Sequence, residues 1–485
     1  MEFPVGMDAE TQDIINAALQ GQLTSEQAKK AASFSPVLGE FAWIAINKQV
    51  AVLQASLDAA KSIDPATPSG QLPIYTKKPA KKRKGKPGGK PGHKGHCRKP
   101  PLEIDRQEDH RLVHCPHCSG PLQRCNRKRK RVIVDIPSPL SPETCEHTIW
   151  RDYCPNCEKH VEPVVPDALP KSTIGHRAVA LTSWLHYGVG VTIDQVVDIF
   201  GYHLQTRLTP GGVVAMWQRL ARILEIWYQQ IGDQARGSAV LHADETGWRV
   251  QGQTYWLWCF TSQETCYYQI DRSRGSPALQ KFFIEAFDGV LVRDFWAPYD
   301  ALTVGDHQCC LVHLLRELEK VDQSNESVEW LAFAKKLRRL IRDGIRLRKQ
   351  PDFSPDSNRS RVKRLDLRLI EMAEGTYDDP DAKRLAKRLS KYRDSIFTFL
   401  DYDNVPFENN HAERQIRPAV VLRKNSQSNR SEKGAATQSV LMTVYRTLKL
   451  RGHDPLAVMV EALRDYVSTG ELPDMPGMAQ IVAEG

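Results

Sequence analysis

No stretch of this 485-residue sequence is apolar for the roughly 20 consecutive residues that a bilayer-spanning helix needs. Met1 to Glu10 also lacks the pattern of a secretory signal. A cytoplasmic protein with no membrane partner is the expectation. Acidic residues are missing altogether from Lys77 to Lys99, where eleven Lys or Arg stand. The formal net charge is +9, so that segment leaves the rest of the chain close to neutral. A second basic run, Arg127-Lys128-Arg129-Lys130-Arg131, follows. Positive charge concentrated beside near-neutral domains suits a polyanion, because neutralising phosphates releases condensed counterions.

The eleven cysteines cannot all pair, and nothing points to an oxidising compartment, so a disulfide framework is a poor reading. Their spacing points to metal instead. Cys115-Pro116-His117-Cys118 and Cys154-Pro155-Asn156-Cys157 are two Cys-x-x-Cys knuckles. Four thiolates at Cys115, Cys118, Cys154 and Cys157 suit one tetrahedral, closed, structural zinc. Strand-like stretches at 131–136 and 146–153 lie between them, as in a zinc ribbon. Cys97, Cys125 and Cys145 lack such pairing and read as ordinary thiols, and His117 is not needed as a ligand.

A chain this long should divide into several units. Residues 1–64 read as helical. Trp43, Ile46, Val50, Leu53, Leu57 and Ala60 alternate spacings of three and four, which fits a short coiled coil or an amphipathic helix packed on its own domain. Residues 65–110 form a Pro/Gly/Lys-rich linker unable to bury apolar surface. The zinc ribbon occupies 111–165 and a helical unit 166–237. In that unit helices are expected at 176–187, 192–200 (with Thr192 as N-cap) and 209–231. Short helix, turn, long helix fits a helix-turn-helix, and equally an all-helical packing without DNA contact.

From residue 238 the texture changes to strands at 238–244, 254–261, 265–270, 289–294 and 307–311, with a helix at 277–287. Three hairpin strands followed by alternating helices and strands form an α/β core of the ribonuclease-H type over 238–318. An all-helical insertion at 319–402 interrupts it, 403–450 completes it, and a helical tail at 451–485 follows. The fold class is thus multidomain α+β. Asp244 and Asp294 end apolar strands, where the binding sites of α/β sheets gather. Hard divalent cations take oxygen ligands, and two Mg²⁺ ions roughly 3.5–4 Å apart can activate a nucleophile, neutralise phosphorus and stabilise a leaving oxygen. A third acid from the helix after 409 would complete the set. Spacing alone does not separate Glu413 from Glu408, and Glu413 could equally pair with Arg417 one turn on.

Several blocks carry a resemblance. Asp244-Glu245-Thr246-Gly247-Trp248-Arg249-Val250, followed by Tyr255-Trp256-Leu257-Trp258, resembles the first catalytic block of the insertion-sequence-sixty-six family of bacterial transposases. Asn409-Asn410-x-Ala412-Glu413-Arg414-x-Ile416-Arg417-Pro418 is similar to its third block, and Cys310-Leu311-Val312-His313 to its Cys-x-x-His element. The Lys-Pro-Gly-Gly-Lys-Pro-Gly-His-Lys-Gly run, the knuckles and the N-terminal helix stand in family order.

The resemblance implies Asp244, Asp294 and Glu413 as a catalytic triad holding Mg²⁺ or Mn²⁺, with two ions expected. Cys310 and His313 would support them. The second block departs from the family's Ser-Asp-Gly-Tyr, reading Arg293-Asp294-Phe295-Trp296, and Asp300 is the fallback acid. Lys81, Lys82, Arg83, Lys84, Lys86, Lys90 and Lys94 of the linker, with Arg414 and Arg417, are the expected DNA contacts. The implied activity is cleavage and strand transfer at element ends by direct phosphoryl transfer. Self-association, small accessory proteins and nucleoid association in a bacterial cytoplasm are the implied company. A metal-dependent nuclease on the same fold, a non-catalytic zinc-ribbon DNA-binding protein and an inactive transposase are the competing readings.

Overall fold

The computed structural model describes residues 163–479 without interruption. Before them it describes 13–14, 24–34, 142–150, 152–156, 158–161 and positions 117, 119 and 121. The seam from Trp43 to Ala60, the basic linker with its candidate DNA contacts, and Cys115, Cys118 and Cys157 lie outside the described residues. Near the N-terminus stands a helix, α1 (Ser25–Phe34). A short hairpin follows later, β1 (Asp152–Cys154) and β2 (Lys159–Val161), antiparallel with Cys154 opposite Lys159. The second knuckle thus begins at the end of β1.

The helical region opens with α2 (His176–Ser183), which widens into a π turn through Val189 and stops at Gly190, whose φ of 94° only glycine adopts freely. Next is α3 (Ile193–Asp198), where Thr192 and Gln195 form a capping box. The single helix expected at 209–231 is two. α4 (Pro210–Ile223), capped by Thr209, ends at Leu224, and α5 (Glu225–Arg236) begins there. Leu224 is fully buried but its ψ of 3° leaves the helical range, and the change of direction lays α5 along the sheet.

The sheet has five strands: β3 (Val240–Val250), β4 (Gln253–Thr261), β5 (Cys266–Asp271), β6 (Phe287–Arg293) and β7 (Val304–Cys309). Their spatial order is β5-β4-β3-β6-β7. The hairpin pairs β3–β4 and β4–β5 are antiparallel, whereas β3–β6 and β6–β7 are parallel. α6 (Ser276–Phe282) joins β5 to β6, but a 3₁₀ turn, Ala297–Ala301, connects β6 to β7. Gly289 sits at a bulge in β6 where an added Cβ would lie 2.6 Å from the Ser238 carbonyl oxygen, so the strands pack too closely there for any other residue.

Alternation along the strands sorts side chains to two faces. Leu241, Ala243, Trp258 and Phe260 pack with Phe282 and Tyr299. Trp248, Val250, Leu257, Cys259 and Tyr268 join a larger core shared with the helices of 176–236. That core also takes in α12 (Glu432–Leu450) and α13 (Pro455–Thr469), which follow α11 (Asn410–Ser426). Buried residues lie all round α12, which is flanked by β5 on one side and by α4 and α5 on the other.

Between β7 and α11 come α7 (Leu311–Val321), α8 (Val328–Arg348), α9 (Pro355–Glu374) and α10 (Pro380–Lys391). Their apolar faces form a separate core that touches the sheet through Val290 and Val292 of β6. Ser327, Ser354 and Asp379 cap α8, α9 and α10 through their side chains.

Candidate active site

Asp244 and Glu245 are neighbours on β3, and strand pleating sends them to opposite faces. Asp244 was expected at a strand end, yet β3 continues to Val250. What ends nearby is the parallel pairing. β3 pairs with β6 only over Val240–His242, while its antiparallel pairing with β4 runs on, with Asp244 opposite Cys259. The long hairpin carries β3 past the last residue of β6, so Asp244 comes to the edge of the parallel half. Asp294 follows β6 directly, as expected.

Asp244 shares its face with His242 and Trp248, and α11 packs against that face. The N-cap of α11, Asn409, is 1 % exposed and ties three segments together. Its Oδ1 accepts from His242 Nδ1 at 2.9 Å, its Nδ2 donates to the Ala243 carbonyl at 2.7 Å, and its backbone N–H donates to Cys310 Sγ at 3.2 Å. These bonds fix the first turn of α11, and Glu413 within it, next to Asp244. Glu413 does not pair with Arg417. Its Oε1 accepts from Arg316 at 3.2 Å and lies 3.6 Å from His313 Nε2, both on α7. Arg414 and Arg417 are exposed.

Asp294 is held in a tight turn: its Oδ1 accepts the Trp296 N–H at 2.9 Å. Asp300 is already engaged, by Arg293 at 2.8 Å, Lys391 at 2.7 Å and the Tyr392 hydroxyl at 3.0 Å. Glu245, on the other face, accepts from Arg274 at 3.1 Å and from the Tyr299 hydroxyl at 3.0 Å. The Arg274 guanidinium lies 4.5 Å from the Trp256 ring centre and 4.0 Å from that of Trp296. The unusual Trp296 thus anchors the loop that carries Asp294. Motif reading passed over Glu245, Arg274 and Arg316. The positions of Arg274 and Arg316 outside any block left no signal.

Burial, then the charges of Glu245, Asp294 and Glu413, drive the Asp244 carboxyl well above the usual carboxylate range. Burial and the charge of Asp294 push Glu245 up to about 7, against the opposing pull of Arg274. Burial also pushes the Cys310 thiol up to about 11, which keeps it protonated as the acceptor of the Asn409 N–H. His313 is shifted down by burial, and its Nδ1 has no hydrogen-bond partner among the described residues.

Carboxylates whose charges converge on Asp244 form a donor set suited by chemistry to a hard divalent cation. Asp244, Asp294 and Glu413 would be its oxygens. As the side chains stand, no three His, Cys, Asp or Glu among the described residues are close enough to grip a single ion. Glu413 would have to exchange Arg316 for the metal.

The model of the "Transposase IS66 family" matches residues 171–437, more than half of the chain. The chain belongs to the IS66 transposase family. The match spans the helical region, the whole sheet, the insertion and α11, and so includes all the residues just described. Two proteins of Sinorhizobium fredii (strain NBRC 101917 / NGR234) are similar to this family member. The uncharacterized protein y4jD is 22% identical over 395 residues, covering 73% of this chain and 75% of the relative. The uncharacterized protein y4qI is 24% identical over 234 residues, or 43% of each chain. Among the described residues of this IS66-family chain, no helix is long and apolar enough to cross a membrane.

Proposed function

We propose that this chain is a DNA transposase of an insertion sequence, with Asp244, Asp294 and Glu413 as its catalytic carboxylates. The observation that carries the reading is the fastening of α11 to β3 by Asn409, which sets Glu413 on the face of Asp244 beside the end of β6. The strand order, with three antiparallel strands followed by two parallel ones, supports a ribonuclease-H-like core. Asp294 is preferred to Asp300 because Arg293, Lys391 and Tyr392 already neutralise Asp300.

Two Mg²⁺ or Mn²⁺ ions, when bound, would activate the attacking oxygen and neutralise charge at phosphorus. The protein's own part is positional. Asp244 and Asp294 supply oxygens from the sheet and Glu413 one from the helix once it exchanges Arg316 for the metal, with His313 beside it. Trp296 and Arg274 hold the Asp294 loop, and Cys310 serves as an acceptor in the joint under α11. Arg414 and Arg417 point outward for DNA, together with the basic linker. Water attack at each element end frees a 3′-hydroxyl, which then attacks target DNA without a protein-bound intermediate.

Cys115, Cys118, Cys154 and Cys157 are assigned to one structural zinc, and the helices of 192–223 to a helix-turn-helix. Joining two element ends calls for at least two protomers, and accessory proteins from the same element are further partners. The whole acts in a bacterial cytoplasm on nucleoid DNA.

The deciding experiment is cleavage and strand transfer on the element's own ends with Mg²⁺ or Mn²⁺. Asp244→Asn and Glu413→Gln are each expected to lose about a hundredfold or more of cleavage while duplex binding persists. Full activity in either variant sinks the triad. Cleavage by the wild type without any strand transfer supports a nuclease instead.

A further inference from the structure

The helical insertion is far more basic than its packing requires. Residues 328–400 hold nineteen Lys or Arg and eleven Asp or Glu, a net +8 in a chain whose formal total is +9. Several of these cations are answered. Arg384 and Arg388 meet Glu317, Arg368 meets Asp343, and Lys391 meets Asp300. The outer face of α8 is different. Its inner face, with Trp330, Leu337, Ile341 and Gly344, is buried in the bundle. On the opposite side Lys335, Arg339, Arg342 and Arg346 follow at spacings of four, three and four, all exposed, and Lys349 extends the row past the helix end.

Spacings of three and four place these residues on one side of a helix, where like charges repel each other. The nearest acids do not relieve them, since Asp322 is taken by Arg338 and Asp343 by Arg368. No ion pair among the described residues engages Lys335, Arg339, Arg342 or Arg346. At 1.5 Å per residue the row from Lys335 to Lys349 is about 21 Å long. One strand of B-form DNA presents about six phosphates over that length. The exposed face of α8 offers no Asn or Gln for reading base edges, so it suits the backbone and not the sequence.

We propose that the outer face of α8 is a docking surface for the phosphate backbone of duplex DNA. The inference rests on the transposase reading and adds a second DNA-contacting element to the basic linker. The bundle that carries α8 is fastened to the candidate site at two places. Lys391 and Tyr392 hold Asp300 in the loop after Asp294, and α7, which leads into α8, brings Arg316 to Glu413. A duplex lying on α8 is therefore held by the same body that positions the carboxylates.

The test uses the full chain and a duplex of arbitrary sequence, roughly 30 base pairs long, titrated across salt concentrations. Changing Arg339→Gln, Arg342→Gln and Arg346→Gln together should weaken binding at low salt at least tenfold. It should also flatten the slope of log affinity against log salt by about 2 to 3, because each phosphate that is no longer neutralised removes close to 0.9 from it. The matching triple change to Lys retains charge and should retain the slope. Wild-type affinity and slope in the Gln triple overturn the proposal. So does an equal loss in the Lys triple, which would report altered shape and not lost charge, and so does preference for an RNA duplex over DNA. The two readings fail separately. Wild-type cleavage with an unchanged slope removes the surface and leaves the transposase. The expected slope change in the Gln triple, beside a wild type that cuts no element end, leaves the surface and removes the transposase.

Discussion

Asn409 commits both side-chain groups to β3 and its backbone N–H to Cys310, and that is why a small side chain matters at this position. Asn409→Ala would strand His242 Nδ1 and the Ala243 carbonyl in a buried setting. An unmet buried donor or acceptor costs about 1–3 kcal/mol, so thermal unfolding should show a loss of that order. Cleavage should fall further than the stability loss explains, because the first turn of α11 aims Glu413. Unfolding and cleavage unchanged in the variant would show that Asn409 does not hold the helix. A second residue gives the fold an acid sensitivity. Burial moves His186 down to about 4, although its ring donates through Nδ1 to the Val191 carbonyl at 2.6 Å. The unfolded chain takes up that proton near pH 6.5 and the folded one only near 4. Stability from this residue is thus full above 6.5 and lost as pH falls toward 4, by roughly 3 kcal/mol in all. Denaturant titrations across that window should show the decline, and a smaller decline in His186→Phe, which keeps the stacking on Trp217.

Among the elements, α12 has the most unusual task. β5 is an edge strand, and its outward N–H groups would otherwise be open to another chain. α12 covers that edge. The Thr443 hydroxyl accepts the Tyr268 N–H at 2.9 Å, and the Thr447 hydroxyl accepts the Cys266 N–H at 3.1 Å. Thr443→Val keeps the shape but removes the acceptor, so a destabilisation of about 1–3 kcal/mol should follow in urea unfolding. A neutral result would mean that the edge is protected by burial alone. Residue patterns made the strands legible because apolar alternation is local. The break at Leu224 was not legible, because α4 and α5 are each amphipathic and the turn between them is dictated by what each packs on. The reach of β3 beyond Asp244 was missed for a similar reason. The apolar run stops at Asp244, but pairing with β4 keeps Thr246 and Gly247 extended.

For the whole molecule, the helices of 176–236 and those of 432–469 close over one face of the sheet in a shared core, while the insertion keeps its own. Chain segments far apart in sequence thus brace the candidate site from two sides. The zinc assignment concerns another part, where β1 and β2 form the hairpin of the second knuckle. Purified protein is expected to contain one zinc per chain, measured by atomic absorption, and Cys154→Ser should release it with loss of binding to element ends. A variant that retains a full equivalent of zinc would exclude the four-thiolate site.

The sequence by itself determined the run of strands in the sheet, the knuckle spacing, the concentration of charge and the family, because each of these is written in neighbouring residues. It also offered Asp244, Asp294 and Glu413 as acids, the last only through resemblance. Tertiary structure decided the rest, since the deciding contacts join residues up to 167 positions apart, as between His242 and Asn409. It turned Asp244 and not Glu245 toward α11, and gave Glu413 to Arg316 and not to Arg417. It neutralised Asp300 with Arg293 of β6 and Lys391 of the insertion. It also left one face of α8 with cations that nothing in the described chain answers. Local propensity can select a residue type for an element, but which charges meet is settled only when distant elements pack.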